Sequence, residues 1–213
     1  AHEIGHTLGF AHNFAASIKN RASVMDYPHP TLGLEAGKIS YENAYADGIG
    51  DWDKVSVKYA YSDFPETVNE TDALNALLEK SSADGHRFIS DRDARPIGGA
   101  HPYAHLWDNG TSAVGEYENL LSIRKLAMDN FSIDQLKEAE PVSVLRDRLV
   151  PLYFLHRYQL EAVVKLIGGQ AYEYGVKGAK INAVKTVAFE EQRAALKAIV
   201  NSMNASSLSI PAH

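Results

Sequence analysis

The stretch AHEIGHTLGFAHNF, residues 1–14, decides how the rest of the chain is read. His2 and His6 are four residues apart, so on a helix their side chains leave one face, one turn from each other. Two imidazoles so placed can share one zinc ion. Glu3 lies between them in sequence and points to the open side of such a metal. There a carboxylate can accept a proton from metal-bound water and pass it to a leaving amine. Gly9 lets the chain leave the helix through a conformation that other residues disfavour. The turn after it returns His12 as a third nitrogen ligand. Three protein ligands leave a fourth position for water, the arrangement of a catalytic rather than a structural zinc site.

The remaining composition narrows the alternatives. The chain has 213 residues, 45% of them hydrophobic, enough to bury a real core. Its 21 basic and 27 acidic residues give a net charge of −6 with no basic block, which argues against nucleic acid as a partner. There is no cysteine, so neither disulfides nor thiolate metal sites are available. No apolar run approaches the roughly 18 residues that a membrane span needs.

Two further stretches follow the histidines: SVMDYP (23–28) and GDWDKVSVKYAY (50–61), the second with Trp52, Val55 and Tyr59 at helical spacing. HEIGHTLGFAH fills H-E-x-x-H-x-x-G-x-x-H at every fixed position, and with it residues 1–62 resemble the metzincin zinc metalloproteases. The wording around the histidines and around Met25 most resembles a group of bacterial metzincin-like proteins whose catalytic part precedes a mostly helical C-terminal region. The resemblance implies that Met25 is the methionine of a turn beneath the zinc, an apolar floor under the imidazoles. It implies that Tyr27 ligates zinc or donates a hydrogen bond to the tetrahedral oxyanion. It implies that the helix starting at Asp51 is structural. One departure matters: Asn13, directly after the third histidine, is not the Glu, Pro, Asp or Ser that marks the well-studied subfamilies, so no subfamily follows.

In metzincins a twisted sheet and a first helix precede the zinc helix, and the sheet edge binds the substrate by strand addition. Here Ala1 is followed directly by a ligand. The expectation is a C-terminal fragment of a larger exported bacterial enzyme, lacking the N-terminal part of the same protein. Such a piece is expected to be inactive alone and to bind zinc weakly or not at all.

The architecture expected is mainly α: an incomplete catalytic subdomain over 1–62 and a helical region over 63–213 packed on it as one bundle. Leu74, Leu77 and Leu78 share a face of a helix from about Thr71 that Gly85 stops. Residues 87–110 are rich in Gly, Pro and Asp and read as a long ordered loop. His101 and His105 within it, and Asp91 with Asp93, are weak metal candidates against solvated loop residues. Ser112 or Thr111 caps a helix over 112–131, and a short one covers Ile133 to Glu138. The longest pattern runs from Val142 to Ile167, with Leu145, Leu149, Leu152, His156, Leu160, Val163 and Ile167 as a buried stripe that Pro151 kinks or divides. His156 on that stripe reads as a hydrogen-bonded core histidine. The alternating, glycine-containing stretch 168–181 predicts a small hairpin. A last helix spans about Thr186 to Met203, with Phe189, Leu196, Ile199 and Met203 facing inward.

The function expected is zinc-dependent hydrolysis of peptide bonds: zinc polarises the scissile carbonyl, and Glu3 is the general base and then the acid to the leaving nitrogen. The substrate is a peptide or protein. Two other readings stand beside it. One is a binding or scaffold protein of the cell envelope that retains the motif; intact Glu3 argues against it. The other is a zinc hydrolase acting on something other than peptides.

Overall fold

α1 (His2–Thr7) is the helix that carries the first two histidines in the computed structural model, which describes residues 1–95, 98–177 and 183–210. It ends where Gly9, at φ +88°, reverses the chain and lets the Phe10 N–H donate to the Gly5 carbonyl at 3.0 Å. A single 3₁₀ turn follows at Ser17–Lys19. β1 (Gly33–Glu35) and β2 (Lys38–Ser40) then pair antiparallel, Gly33 opposite Ser40. Ala36 and Gly37 between them both have positive φ, which suits the twist of a two-residue hairpin.

α2 (Asp51–Tyr61) packs on α3 (Glu70–Ala83), which is capped by Asn69 accepting the Asp72 N–H at 3.1 Å. Gly85, at φ +89°, follows the end of α3, close to where the sequence places the stop. The α2 stripe holds for Trp52, which stacks on Phe88 with centroids 5.7 Å apart, but Tyr59 is exposed. Only the first turns of α2 are covered by neighbours.

A four-residue helix, α4 (Asp91–Ala94), lies inside the stretch expected to be loop. α5 (Ala113–Asp129) starts where Ser112 accepts the Gly115 N–H at 3.2 Å, as its sequence predicts. The short helix expected at 133–138 is a 3₁₀ turn, Ile133–Gln135. The long pattern is divided into α6 (Val144–Tyr153) and α7 (Arg157–Val164). Pro151 stays within α6; the chain instead tightens into three-residue turns from Leu152, and His156 becomes the N-cap of α7. β3 (Gln170–Ala171) pairs antiparallel with β4 (Lys185–Thr186), so the hairpin expected in 168–181 closes farther along the chain. Residues 178–181 of that expectation lie outside the described residues. α8 (Phe189–Ser202) and α9 (Ala205–Leu208) complete the chain, and the fold is mainly α.

α5 is the axis of the helical region, in contact with α6, α7 and α8. Tyr117, Val163, Leu166, Val187, Ala195 and Ala198 form the core there. Two expected faces are corrected. On α8 the small residues Ala195 and Ala198 face inward, while Phe189, Leu196 and Met203 are exposed; alanines let the helix approach its neighbours closely. In the α6–α7 stripe Val163 is buried and Ile167 is exposed, with Gln159, Ala162 and Leu166 filling the interior instead. A second core joins Phe14 and Ala15, just past the third histidine, to Ile89, Ala94 and Ala104. This core holds the histidine loop against the segment that precedes α5. Among the described residues no helix is long and apolar enough to cross a membrane.

Candidate metal centre

α1 sets His2 and His6 one turn apart, and the reversal at Gly9 returns His12 to the same face. The Nε2 atom of His6 lies 3.1 Å from that of His2 and 3.2 Å from that of His12. All three ligand atoms fall within 4.8 Å of one another. Each ring is fixed by its other nitrogen. Nδ1 of His2 donates to the Val24 carbonyl at 2.6 Å and Nδ1 of His6 to the Phe10 carbonyl at 2.9 Å. Nδ1 of His12 lies 2.8 Å from Oδ2 of Asp91. A carbonyl or carboxylate oxygen only accepts, so each Nδ1 carries a proton, and the Nε2 atoms that face one another are the ones a metal would take. With Nδ1 as the protonated nitrogen of each ring, a cation satisfies three converging Nε2 lone pairs. Zinc–nitrogen bonds of about 2.0–2.1 Å at tetrahedral angles put neighbouring ligand nitrogens about 3.3 Å apart, close to the two separations found here.

Met25 lies under this group. It is buried, and a Cβ placed on Gly5, between the two helix histidines, would sit 2.2 Å from its sulfur. The glycine in HEIGH is therefore the opening that admits the methionine. Tyr27 packs beside the imidazoles at a tilt, its ring centroid 4.3 Å from that of His2 and 5.1 Å from that of His12. Glu3 is exposed, and with His2 and Tyr27 it lines a cleft of about 1010 Å³. The structure thus brings His2, His6, His12, Met25 and Tyr27 into one cluster and places Glu3 on the cleft beside it.

A family model described as Met-zincin matches residues 1–212. The chain belongs to the Met-zincin family. No curated protein and no solved structure matches it.

Other polar candidates of this Met-zincin have other employments. His101 is fully buried, with Nε2 donating to the Tyr172 carbonyl at 3.0 Å and Nδ1 accepting the Tyr103 N–H at 3.2 Å. Burial pushes its pKa down to about 4, so it is a neutral core group. Burial likewise pushes His105 down to about 4; it faces Glu161 at 3.3 Å without hydrogen-bond geometry. His156 is half-buried, and its Nδ1 lacks a hydrogen-bond partner, in contrast to the expected bonded core histidine. Asp93 accepts from the Tyr172 and Tyr174 hydroxyls at 2.6 and 2.5 Å. Asp91 is turned away from it, toward His12.

The supporting roles of three residues escaped the sequence reading. Asp53, buried in the first turn of α2, accepts from Ser23 Oγ at 2.6 Å, the Val24 N–H at 2.9 Å and the Gly50 N–H at 2.7 Å. It thereby anchors the peptide whose carbonyl holds His2. An acidic residue in a first helical turn is a legible signal for such capping. Asn13 is the second. Its N–H donates to the Met25 carbonyl at 2.9 Å, its Nδ2 to the Arg87 carbonyl at 2.9 Å, and its Oδ1 accepts the Ile89 N–H at 3.3 Å. Asp91 is the third, and nothing local in the sequence points from it to His12.

Proposed function

We propose that this chain carries the zinc centre of a peptidase and that the cleft beside it receives a peptide. The observation that carries the reading is the convergence of three Nε2 lone pairs, each ring oriented through its Nδ1, at the edge of a cleft that also holds a carboxylate. His2, His6 and His12 would hold the metal. Zinc, when bound, supplies a Lewis acid and a water acidic enough to lose its proton near neutral pH.

The chain's own residues do the rest. Glu3 takes a proton from the attacking water on its carboxylate and returns it to the leaving nitrogen, a role worth about 10²–10⁴ in rate. Tyr27, beside two of the imidazoles, donates a hydrogen bond from its hydroxyl to the oxygen that gains charge. Met25 closes the apolar side and keeps the imidazoles from tilting. The peptide class of substrate is the family's, and the side-chain preference of the cleft belongs to profiling with a peptide library.

The test pairs metal content with turnover. The protein with wild-type Glu3 and its Glu3→Gln variant are compared for zinc per chain by elemental analysis and for cleavage of a peptide library. The expected outcome is equal zinc and a loss of cleavage of about 10²-fold or more in the variant. Undiminished cleavage by the variant overturns the proposal.

A further inference from the structure

The two helix histidines and the loop histidine are held in different ways. His2 and His6 stand on α1, and their Nδ1 atoms rest on main-chain carbonyls, Val24 and Phe10. His12 lies beyond the helix, and its Nδ1 rests on a side-chain carboxylate 79 residues away, Asp91. It is the ligand with the least help from its own secondary structure, and the one given a charged partner.

That partner is itself held in place. Its Oδ2 also accepts from Ser90 Oγ at 3.3 Å, and its Oδ1 accepts from Nη1 of Arg95 at 3.0 Å, one turn along. The segment leading to it is docked on the histidine loop by the Phe14 N–H to the Ile89 carbonyl, 2.8 Å, and by both ends of the Asn13 amide. Phe14 and Ile89 have no exposed surface, so this docking lies in the core. The backbone beneath Asp91 and the backbone beneath His12 are therefore one packed unit.

We propose that Asp91 is a positioning residue of the metal centre, fixing the tautomer and orientation of His12 and raising its donor strength. The proposal rests on the zinc reading of the three histidines. A carboxylate on a ligand imidazole makes the metal-facing nitrogen more basic and orients the ring, and loss of such a partner costs about 10–100-fold in metal affinity. It follows that the region after residue 63 is a working part of the centre: it completes the third ligand.

The experiment reads metal binding. Zinc affinity is measured by competition with a chromophoric chelator, and the Co²⁺ form is followed by its visible absorption, for wild type, Asp91→Asn, Asp91→Ala and Arg95→Ala. Each is repeated in a His12→Ala background. The expected results are a loss of about 10–100-fold for Asp91→Ala, a smaller loss for Asp91→Asn, whose amide oxygen still accepts from Nδ1, and shifted Co²⁺ bands in both. In the His12→Ala background the same changes at Asp91 leave the residual affinity unaltered, whereas a general structural role would lower it in both backgrounds. Arg95→Ala, which frees the other carboxylate oxygen, has the smallest effect. Wild-type affinity and Co²⁺ bands retained in Asp91→Ala overturn the proposal while leaving the zinc reading intact. Failure of the wild-type protein to bind either metal overturns both.

Discussion

Gly5→Ala tests the relation between the helix that carries His2 and His6 and the methionine beneath it. The new Cβ would lie 2.2 Å from Sδ of Met25, 3.3 Å from Cε and 3.6 Å from Cγ. Unstrained heavy-atom contacts lie at about 3.5–4.0 Å, so the sulfur must retreat by roughly 1.5 Å. That is close to a bond length, which demands a new rotamer. Met25 is only 3% exposed, and its backbone is tied at both ends, N–H to Ser23 Oγ at 3.0 Å and carbonyl to Asn13 N–H at 2.9 Å. Overpacking of this kind costs about 1–3 kcal/mol. Against it stands the helix preference of alanine over glycine, about 1 kcal/mol, which is available because Gly5 sits in ordinary helix. The single variant therefore comes out near neutral to about 2 kcal/mol destabilised, a net too small to judge alone. The double-mutant cycle with Met25→Ala separates the terms, since removing the sulfur removes the clash and leaves the helix gain. The expected coupling is about 1–3 kcal/mol, with Gly5→Ala more favourable in the Met25→Ala background. Urea unfolding supplies the free energies, and chelator competition should show a parallel interaction in zinc affinity. If the two substitutions add within about 0.5 kcal/mol, Met25 does not occupy the space over Gly5 and the floor beneath the imidazoles is built otherwise.

Asp53→Ala should destabilise by about 3 kcal/mol, because one hydroxyl and two main-chain N–H donors lose a buried charged acceptor together. Urea unfolding checks it, and a loss below about 1 kcal/mol would mean that water replaces the carboxylate and the anchoring of Val24 is unnecessary. A second prediction concerns pH. Burial pushes the Asp108 carboxyl up to about 7, and burial together with Asp108 raises Asp26 well above the usual range. A raised folded-state value means that the stability contribution is whole below about pH 4 and is lost as pH rises through about 7. The buried neutral histidines His101 and His105, at about 4, act in the opposite sense, their contribution being whole above about 6.5. Between pH 6 and 8 Asp108 takes away about 1 kcal/mol while the two histidines return about as much, so wild-type stability should change little across that range. Asp108→Asn removes the falling contribution, so stability of the variant should rise with pH across this range in thermal or urea unfolding; a pH profile unchanged from wild type would show that Asp108 does not titrate there.

How much of this was legible follows from how local each feature is. The convergence of His2, His6 and His12 was readable because an i, i+4 pair on a helix and a glycine reversal are short-range geometry, and the cap of α5 was readable for the same reason. The inward face of α8 was misread because apolar periodicity marks a stripe without saying how near the neighbour comes. A close approach selects Ala195 and Ala198 and leaves Phe189, Leu196 and Met203 outside. Pro151 was a sound sign of a break but a poor guide to its position, since a helix can give up one ladder bond and unwind several residues later. The support of the centre was least legible because it is long-range. Asn13 drew notice only as a departure from better-known subfamilies, and in the fold that position ties three segments together: the Met25 turn, the histidine loop and residues 87–89. An ionised acidic side chain offers no donor and proline has no N–H, so neither makes the same three-way connection, whereas the Asn13 amide donates to Arg87 and accepts from Ile89 through its two ends. The choice of asparagine there is thus matched to a docked segment that carries Asp91. On that argument the residue after the third histidine and the carboxylate behind it belong to one device, and changing either should disturb the same ligand.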